Sequence, residues 1–224
     1  VMSVRINPSI LSSDFANFES EFDTISNCDA VHVDVMDNHF VPNLTFGYPV
    51  VKRLQEITNR PLDLHLMIEN VDDWAPKYAS LGVFSVTFHH EAAQDSVETA
   101  KRIRERGSRA GLAIKPGTDL DEILPILASF NQLLIMTVEP GFGGQALIES
   151  TLEKVSAARK HLDANGLKIW LQVDGGIDET NIERVASMGA DTFVAGSAVF
   201  KATDRKAQIS LLRSTAEKGH AHFH

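Results

Sequence analysis

The chain is poor in cysteine, in net positive charge and in long apolar runs. Cys28 is the one cysteine among 224 residues, so no intrachain disulfide can form. That suits a reducing compartment, and a cytoplasmic location is expected. The net charge of −9 argues against nucleic acid or an anionic membrane as the main partner, because both need basic surface. No stretch approaches the roughly 18 apolar residues of a membrane span. No basic segment followed by an apolar run opens the chain, so no secretory leader is expected. No GxGxxG string follows the first apolar run, which weakens an open, dinucleotide-binding sheet. Linkers and low-complexity tracts are missing as well.

A hydrophobic content of 43% supplies a sizeable core, and the length suits one α/β domain over 1–224. Short apolar runs alternate with amphipathic, charged segments. Strands are expected at 5–11, 30–36, 61–67, 83–89, 109–115, 132–138, 168–174 and 191–197. Helices are expected at 14–26, 47–57, 71–81, 94–106, 119–129, 146–163, 178–188 and 205–217. Ser13 or Asp14, Asn70, Asp95, Thr118 and Asp178 supply start signals, and Gly82, Gly107, Gly166 and Gly189 supply stops. Repeated strand–helix units imply parallel strands with helical crossovers, and about eight of them close into a (β/α)8 TIM barrel. The end of the chain, from about 218 to 224, reads as a flexible tail whose His220, His222 and His224 pick up only stray metal.

In such a barrel the active site lies at the C-terminal strand ends, and the unusual residues collect there. Alternation along AVHVDVMD (30–37) puts His32, Asp34 and Met36 on one face, opposite Val31, Val33 and Val35. In PLDLHLM (61–67), His65 and Met67 share a face, and LQVDGGI (171–177) brings Asp174 before paired glycines. His32, Asp34, His65 and Asp174 can therefore converge on one divalent cation, with Zn²⁺, Fe²⁺, Mn²⁺ and Co²⁺ all suited to such ligands. The competing reading is a set of satisfied polar residues closing the barrel mouth. Met36, Met67 and Met136 would line the site with apolar surface and limit water.

DGGI (174–177) and AGSAVF (195–200) are glycine-rich turns after strands seven and eight, where barrels favour phosphate. Backbone N–H groups of Gly175, Gly176, Gly196 and Ser197 can hold an anion there; glycines that merely permit tight turns are the alternative. VEPGFGGQ (138–145), with Gly141, Phe142, Gly143 and Gly144, reads as a mobile lid. Lys115 stands where a Schiff-base lysine could, but has no paired base, so a structural role is expected. His89 reads as rim packing and His90 as exposed, while Asp37, His39 and Asn43 shape the mouth.

INPSILSSDF, VHVDVMDNHFVPNLTFG, DLHLMIENVDDW, SVTFH, AIKPGT, LLIMTVEPGFGGQ, QVDGGI and ADTFVAGSAVF together closely resemble the ribulose-phosphate 3-epimerases, from about Ile6 to Phe200. The resemblance implies a TIM barrel of the pentose-phosphate pathway that interconverts D-ribulose 5-phosphate and D-xylulose 5-phosphate. It implies His32, Asp34, His65 and Asp174 as ligands of one divalent metal, and Asp34 with Asp174 as the acid–base pair. Ser9, His65, Gly141 to Gly144, Asp174 to Gly176, Gly196 and Ser197 would touch substrate, largely at its phosphate. A homo-oligomer is also implied. Leu147, where an aromatic is expected, and His90 beside His89 depart from the pattern. Inverting C3 of a 2-ketose needs one carboxylate on each side of the carbon and a cation for the 2,3-enediolate. Competing readings are an epimerase of a 6-phosphorylated ketohexose, a barrel lyase or decarboxylase, and a sugar-phosphate sensor. The lack of a DxKxxD string speaks against the decarboxylases.

Overall fold

A computed structural model describes residues 3–221. Its strands are β1 (Arg5–Pro8), β2 (Val31–Met36), β3 (Leu62–Met67), β4 (Ser85–His89), β5 (Arg109–Ile114), β6 (Gln132–Met136), β7 (Trp170–Asp174) and β8 (Thr192–Ala195). They form one parallel sheet in the order β1-β8-β7-β6-β5-β4-β3-β2. A parallel bridge between Ser9 and His32 draws the two end strands together, so the sheet is a nearly closed (β/α)8 barrel. The helices are α1 (Phe18–Thr24), α2 (Tyr48–Ile57), α3 (Val71–Ala79), α4 (Ser96–Arg104), α5 (Thr151–Ala164), α6 (Ile182–Ser187), α7 (Ser197–Phe200) and α8 (Arg205–Ala221). Among the described residues, no helix is long and apolar enough to cross a membrane.

The two faces of the strands have different chemistry. Val31, Val33, Val35, Leu62, Leu64, Leu66, Val86, Phe88, Leu133, Ile135, Leu171 and Val173 are buried in the main apolar core with helix residues such as Leu54, Ala75, Ile103, Val155 and Val185. The alternate residues Asn7, His32, Asp63, Ser85, Thr87, Gln132, Gln172 and Thr192 are buried and polar. Hydrogen bonds join them between strands that are not neighbours: Gln172 Nε2 on β7 reaches Asp63 Oδ2 on β3 at 2.6 Å, and Gln132 Nε2 on β6 reaches Thr87 Oγ1 on β4 at 3.0 Å. Such bonds can cross only through the barrel interior, so the interior is a hydrogen-bonded layer here, unlike the branched apolar filling common in this fold.

Proline explains two departures from ideal helices. Pro76 lies inside α3 and has no N–H to give the Asp72 carbonyl one turn back. Arg102 of α4 supplies the missing donor, its Nη1 lying 2.6 Å from that oxygen. The Asp72 carboxylate in turn accepts from Gln94 N, Asp95 N and Thr99 Oγ1, which ties α3 to α4. The α-helix expected over 119–129 is instead two 3₁₀ segments, Leu120–Glu122 and Leu124–Ser129. Pro125 breaks the i→i−4 ladder and disfavours helical backbone at Leu124.

Other boundaries move too. Asp95 caps α4 through Glu98 N as expected, but Asn70 begins α3 in a left-handed conformation with no side-chain bond. Helix α1 starts at Phe18 rather than 14, because Asp14 closes a turn onto Ala16 and Asn17 first. Residues 146–150 stay in the loop, where Ile148 N bonds Thr137 O, so α5 starts at Thr151. The expected flexible tail is corrected in part. Residues 218–221 continue α8, with Gly219 and His220 buried, because the residue-219 backbone packs directly on the Glu183 carbonyl of α6. His222 and His224 lie outside the described residues.

Gly111 of β5 is required for space. A Cβ there would lie 2.1 Å from Thr87 Oγ1, the atom that accepts from Gln132. Gly111→Ala should therefore destabilise the barrel by about 1–3 kcal/mol, the usual cost of overpacking, seen as a lower urea midpoint at unchanged m-value. An unchanged midpoint would show that the interior yields freely.

Candidate active site

The strand register brings the chemical groups together. Asp34 pairs with His65, His32 with Asp63 and Met36 with Met67 across β2 and β3, and Met136 pairs with Asp174 across β6 and β7. His32 Nε2 lies 3.3 Å from Asp34 Oδ1 and 3.6 Å from Asp174 Oδ2. His65 Nδ1 lies 3.2 Å from Asp34 Oδ1 and 3.5 Å from Asp174 Oδ2. One ligand atom from each of the four residues falls within 4.8 Å of the others. Ser9 Oγ donates to Asp34 Oδ2 at 2.5 Å, leaving Oδ1 for the imidazoles.

Burial opposes charge in all four residues. It would raise the Asp34 carboxyl, but the charges and hydrogen bonds of His32 and His65 hold it well below its usual range. Asp174 is lowered too: burial raises it, hydrogen bonds from His32 and His65 lower it, and Asp34 opposes them. The imidazoles respond in kind. Burial would lower His32 and His65, yet the facing carboxylates push both upward.

Asp34, Asp174, Ser9, Met36, Met67 and Met136 line one cavity of about 920 Å³. The same cavity reaches Gly141, Phe142, Gly143, Gly144, Gly175, Gly176, Gly196 and Ser197, so the expected substrate-facing groups share one space except His65, which is fully buried and does not line it. Gly176, at φ 68°, sits where a Cβ would meet Leu147 N at 2.5 Å. The loop after β6 is tied to the β2 loop and to itself: Asn43 Nδ2 donates to Gly141 O at 2.7 Å, and Gln145 Nε2 donates to Glu139 O and Phe142 O at 2.7 and 2.8 Å. Phe142 stands 53% exposed at its tip. Lys115 does not line the cavity; its Nζ lies 3.9 Å from the centre of the Phe40 ring. His90 Nδ1 meets Ser96 Oγ, and the Asp37 carboxylate closes the mouth loop onto His39 N, Phe40 N and Glu69 N.

Several contributors escaped the sequence reading. Asp63 accepts from Asn7 Nδ2 (3.0 Å), Ser85 Oγ (2.5 Å), Gln132 Nε2 (3.3 Å) and Gln172 Nε2 (2.6 Å), and lies 2.9 Å from His32 Nδ1. Burial would raise its carboxyl, but His32, Ser85 and Gln172 hold it far below the usual range. The signal was present, because Asp63 has the parity of His65 and Gln172 that of Asp174. His89 is not simple rim packing: it is buried, with Nε2 2.9 Å from His65 Nε2 and Nδ1 3.1 Å from Glu91 Oε2. Ser12, Lys201 and Arg184 also line the cavity, Arg184 being engaged by Glu149.

Glu91 gives this region a defined acid response. Burial would raise its carboxyl, but hydrogen bonds from His89, Lys115 N and Thr118 outweigh it and lower the value from 4.5 to about 2. A group lowered on folding stabilises fully above its unfolded value and loses that contribution as pH falls through the folded one. The stability difference between the unaltered chain and Glu91→Gln should thus be constant above about pH 5 and shrink between 4.5 and about 2, read from denaturant unfolding at a series of pH values. A difference that grew with acid would contradict this.

The sequence model of the Ribulose-phosphate 3 epimerase family matches residues 5–200. The ribulose-phosphate 3-epimerase of Mycobacterium tuberculosis is 51% identical over 218 residues, covering 97% of this chain and 95% of that protein. The ribulose-phosphate 3-epimerase of Escherichia coli is 43% identical over 216 residues, covering 95% and 96%. Among solved structures, KGPDC from Streptococcus mutans superposes with a TM-score of 0.70 at 14% identity, over 96% of this chain and 98% of that one. The 3-hexulose-6-phosphate synthase of Salmonella typhimurium gives 0.67 at 15% identity, over 96% and 100%. These two likenesses show the shared barrel alone. With a family match over most of its length and relatives at 43 and 51% identity, the chain belongs to the ribulose-phosphate 3-epimerase family of isomerases.

Proposed function

We propose that the chain interconverts D-ribulose 5-phosphate and D-xylulose 5-phosphate, with Asp34 and Asp174 moving the C3 proton and one divalent cation held by His32, Asp34, His65 and Asp174. The observation that carries the reading is the meeting of two carboxylates from β2 and β7 in one cavity beside two buried imidazoles.

The donor set fits a cation. His32 Nε2 is fully buried and faces two carboxylates without a well-aligned hydrogen bond to either, a poorly satisfied nitrogen that a metal ion would satisfy. Its neighbours lie 3.3 and 3.6 Å away, and ligands each about 2.0–2.2 Å from one ion sit at comparable separations. Two imidazoles and two carboxylates suit Zn²⁺ or Fe²⁺ first, then Mn²⁺ or Co²⁺. When bound, the cation polarises the substrate carbonyl and offsets the negative charge that develops on its oxygens.

The remaining chemistry belongs to the chain. One aspartate removes the C3 proton, and the other delivers a proton to the opposite face. The direction of reaction decides which acts first. Their apparent pKa values belong to the pair, since the two share the same imidazoles. Ser9 fixes Asp34 Oδ2, so its other oxygen keeps one orientation. Met36, Met67 and Met136 exclude water from the intermediate. Gly175, Gly176, Gly196 and Ser197 offer backbone N–H groups to the phosphate.

Each of Asp34→Asn and Asp174→Asn should lose about 10²–10⁴-fold in turnover, the usual cost of a missing acid or base. The double variant should cost less than the product of the two, because the residues act as one unit. In deuterated water, the unaltered chain should place deuterium at C3 of the product. Chelation should abolish turnover and added metal restore it. Efficient epimerisation by either variant, or by demonstrably metal-free protein, would overturn the reading. The phosphate assignment has its own check: unphosphorylated ribulose should be turned over far more slowly than its 5-phosphate, and equal rates would refute it.

A further inference from the structure

His65 differs from His32 in what stands behind it. The His32 ring meets the Asp63 carboxylate directly, whereas the His65 ring meets a second imidazole, that of His89. The two Nε2 atoms are 2.9 Å apart, and the rings lie 5.1 Å apart at 28°. At that distance a single proton must lie between the two nitrogens, and its owner is set further along. His89 Nδ1 is 3.1 Å from Glu91 Oε2. A carboxylate only accepts, so that proton sits on His89 Nδ1. His89 is wholly buried and packed against the Phe40 ring, over which the Lys115 ammonium also lies. With its proton held on Nδ1 by Glu91, the neutral His89 ring presents a lone pair at Nε2. The shared proton then belongs to His65 Nε2. His65 Nδ1 is left as the nitrogen that faces Asp34 Oδ1 and Asp174 Oδ2.

We propose that Glu91 and His89 form a relay of positioning residues that fixes the ring orientation and Nε2–H tautomer of His65, presenting Nδ1 to the cation. The inference rests on the metal reading above and assigns roles to two residues that reading leaves out. The relay is anchored at its outer end. Glu91 Oε1 accepts from Lys115 N at 2.7 Å and from the Thr118 hydroxyl. Lys154 of α5 then ties that same turn through Pro116 O at 2.9 Å and through the Thr118 carbonyl. The outer end of the chain of contacts is therefore tied to backbone, and the Glu91 side chain, 21% exposed, is its one open link.

The test uses the full-length chain stripped of metal. Imidazole ¹⁵N spectra of that chain reloaded with diamagnetic Zn²⁺ should show His65 protonated at Nε2 and His89 at Nδ1 alone. His89 found with its proton on Nε2 would overturn the relay without any variant being made. Dissociation constants for Co²⁺ are then measured by competition with a chelator of known affinity. His89→Leu and Glu91→Ala should each bind Co²⁺ about 10–100-fold more weakly, the usual cost of losing a partner behind a metal ligand. His89→Gln, which can accept from His65 and donate to Glu91, should recover most of that loss. A purely structural role would give no such rescue and would leave the tautomers unaltered. Equal Co²⁺ affinity in the unaltered chain, His89→Leu and Glu91→Ala would overturn the relay alone. Absence of Co²⁺ binding by the unaltered chain would overturn the metal reading and this inference with it.

Discussion

The Asp63 carboxylate at the centre of the barrel is the interaction on which the rest depends. Removing a charge from water is costly, and a buried carboxylate is tolerated only when its lone pairs are filled. Asp63 is filled by side chains from β1, β2, β4, β6 and β7. Five segments far apart in sequence must therefore arrive together before the charge is compensated. Taking away one donor strands the others in a medium where an unpaired polar group is expensive. The same carboxylate orients His32, since the imidazole N–H that points down to Asp63 leaves Nε2 pointing up. Fold and site thus share one atom group.

The site is built from two imidazoles supported in unlike ways. Behind His32 stands a fully enclosed anion; behind His65 stands a neutral ring that leads to a partly open glutamate. Both arrangements leave one ring nitrogen toward the Asp34 and Asp174 oxygens. The carboxylates differ as well. The Asp34 side chain is 4% exposed and held by Ser9, whereas Asp174 is 17% exposed and faces the open cavity. The two carboxylates therefore meet different surroundings, and the acid–base pair proposed for opposite faces of a substrate is expected to be unequal in this way.

Much of this was legible in the sequence, for reasons particular residues make plain. Polar residues at every second position of VHVDVMD, set among valines, can only mean a strand with two chemically distinct faces, and that fixed attention on His32 and Asp34. The glycines before α6 and at the start of α7 announced the two loops that share the cavity. Asp63, Gln132 and Gln172 were not picked out because their partners lie across the barrel. A polar residue inside a strand looks like any solvent-facing one until closure is known. His89 was missed for a similar reason: its meaning comes from His65 on the adjoining strand. Pro125 stands inside the helix expected over 119–129, and its missing N–H together with the restriction it puts on Leu124 breaks up the fifth crossover.

The polar interior also bears on how the strands find their alignment. The outer faces of β2 and β3 carry Val31, Val33, Val35 and Leu62, Leu64, Leu66, near-identical repeats that would pack almost as well after a slip of two residues. The inner faces have no such degeneracy. Asp63 has one level at which Asn7, Ser85 and Gln172 all reach it. Ser9, Asp34, His65 and Asp174 each lie two positions beyond a member of that layer: Asn7, His32, Asp63 and Gln172. A strand that slipped would leave the hydrocarbon packing almost unchanged while tearing both layers at once. The buried hydrogen bonds thus act as a vernier scale for the barrel: the apolar residues set its radius, and the polar ones set its stagger.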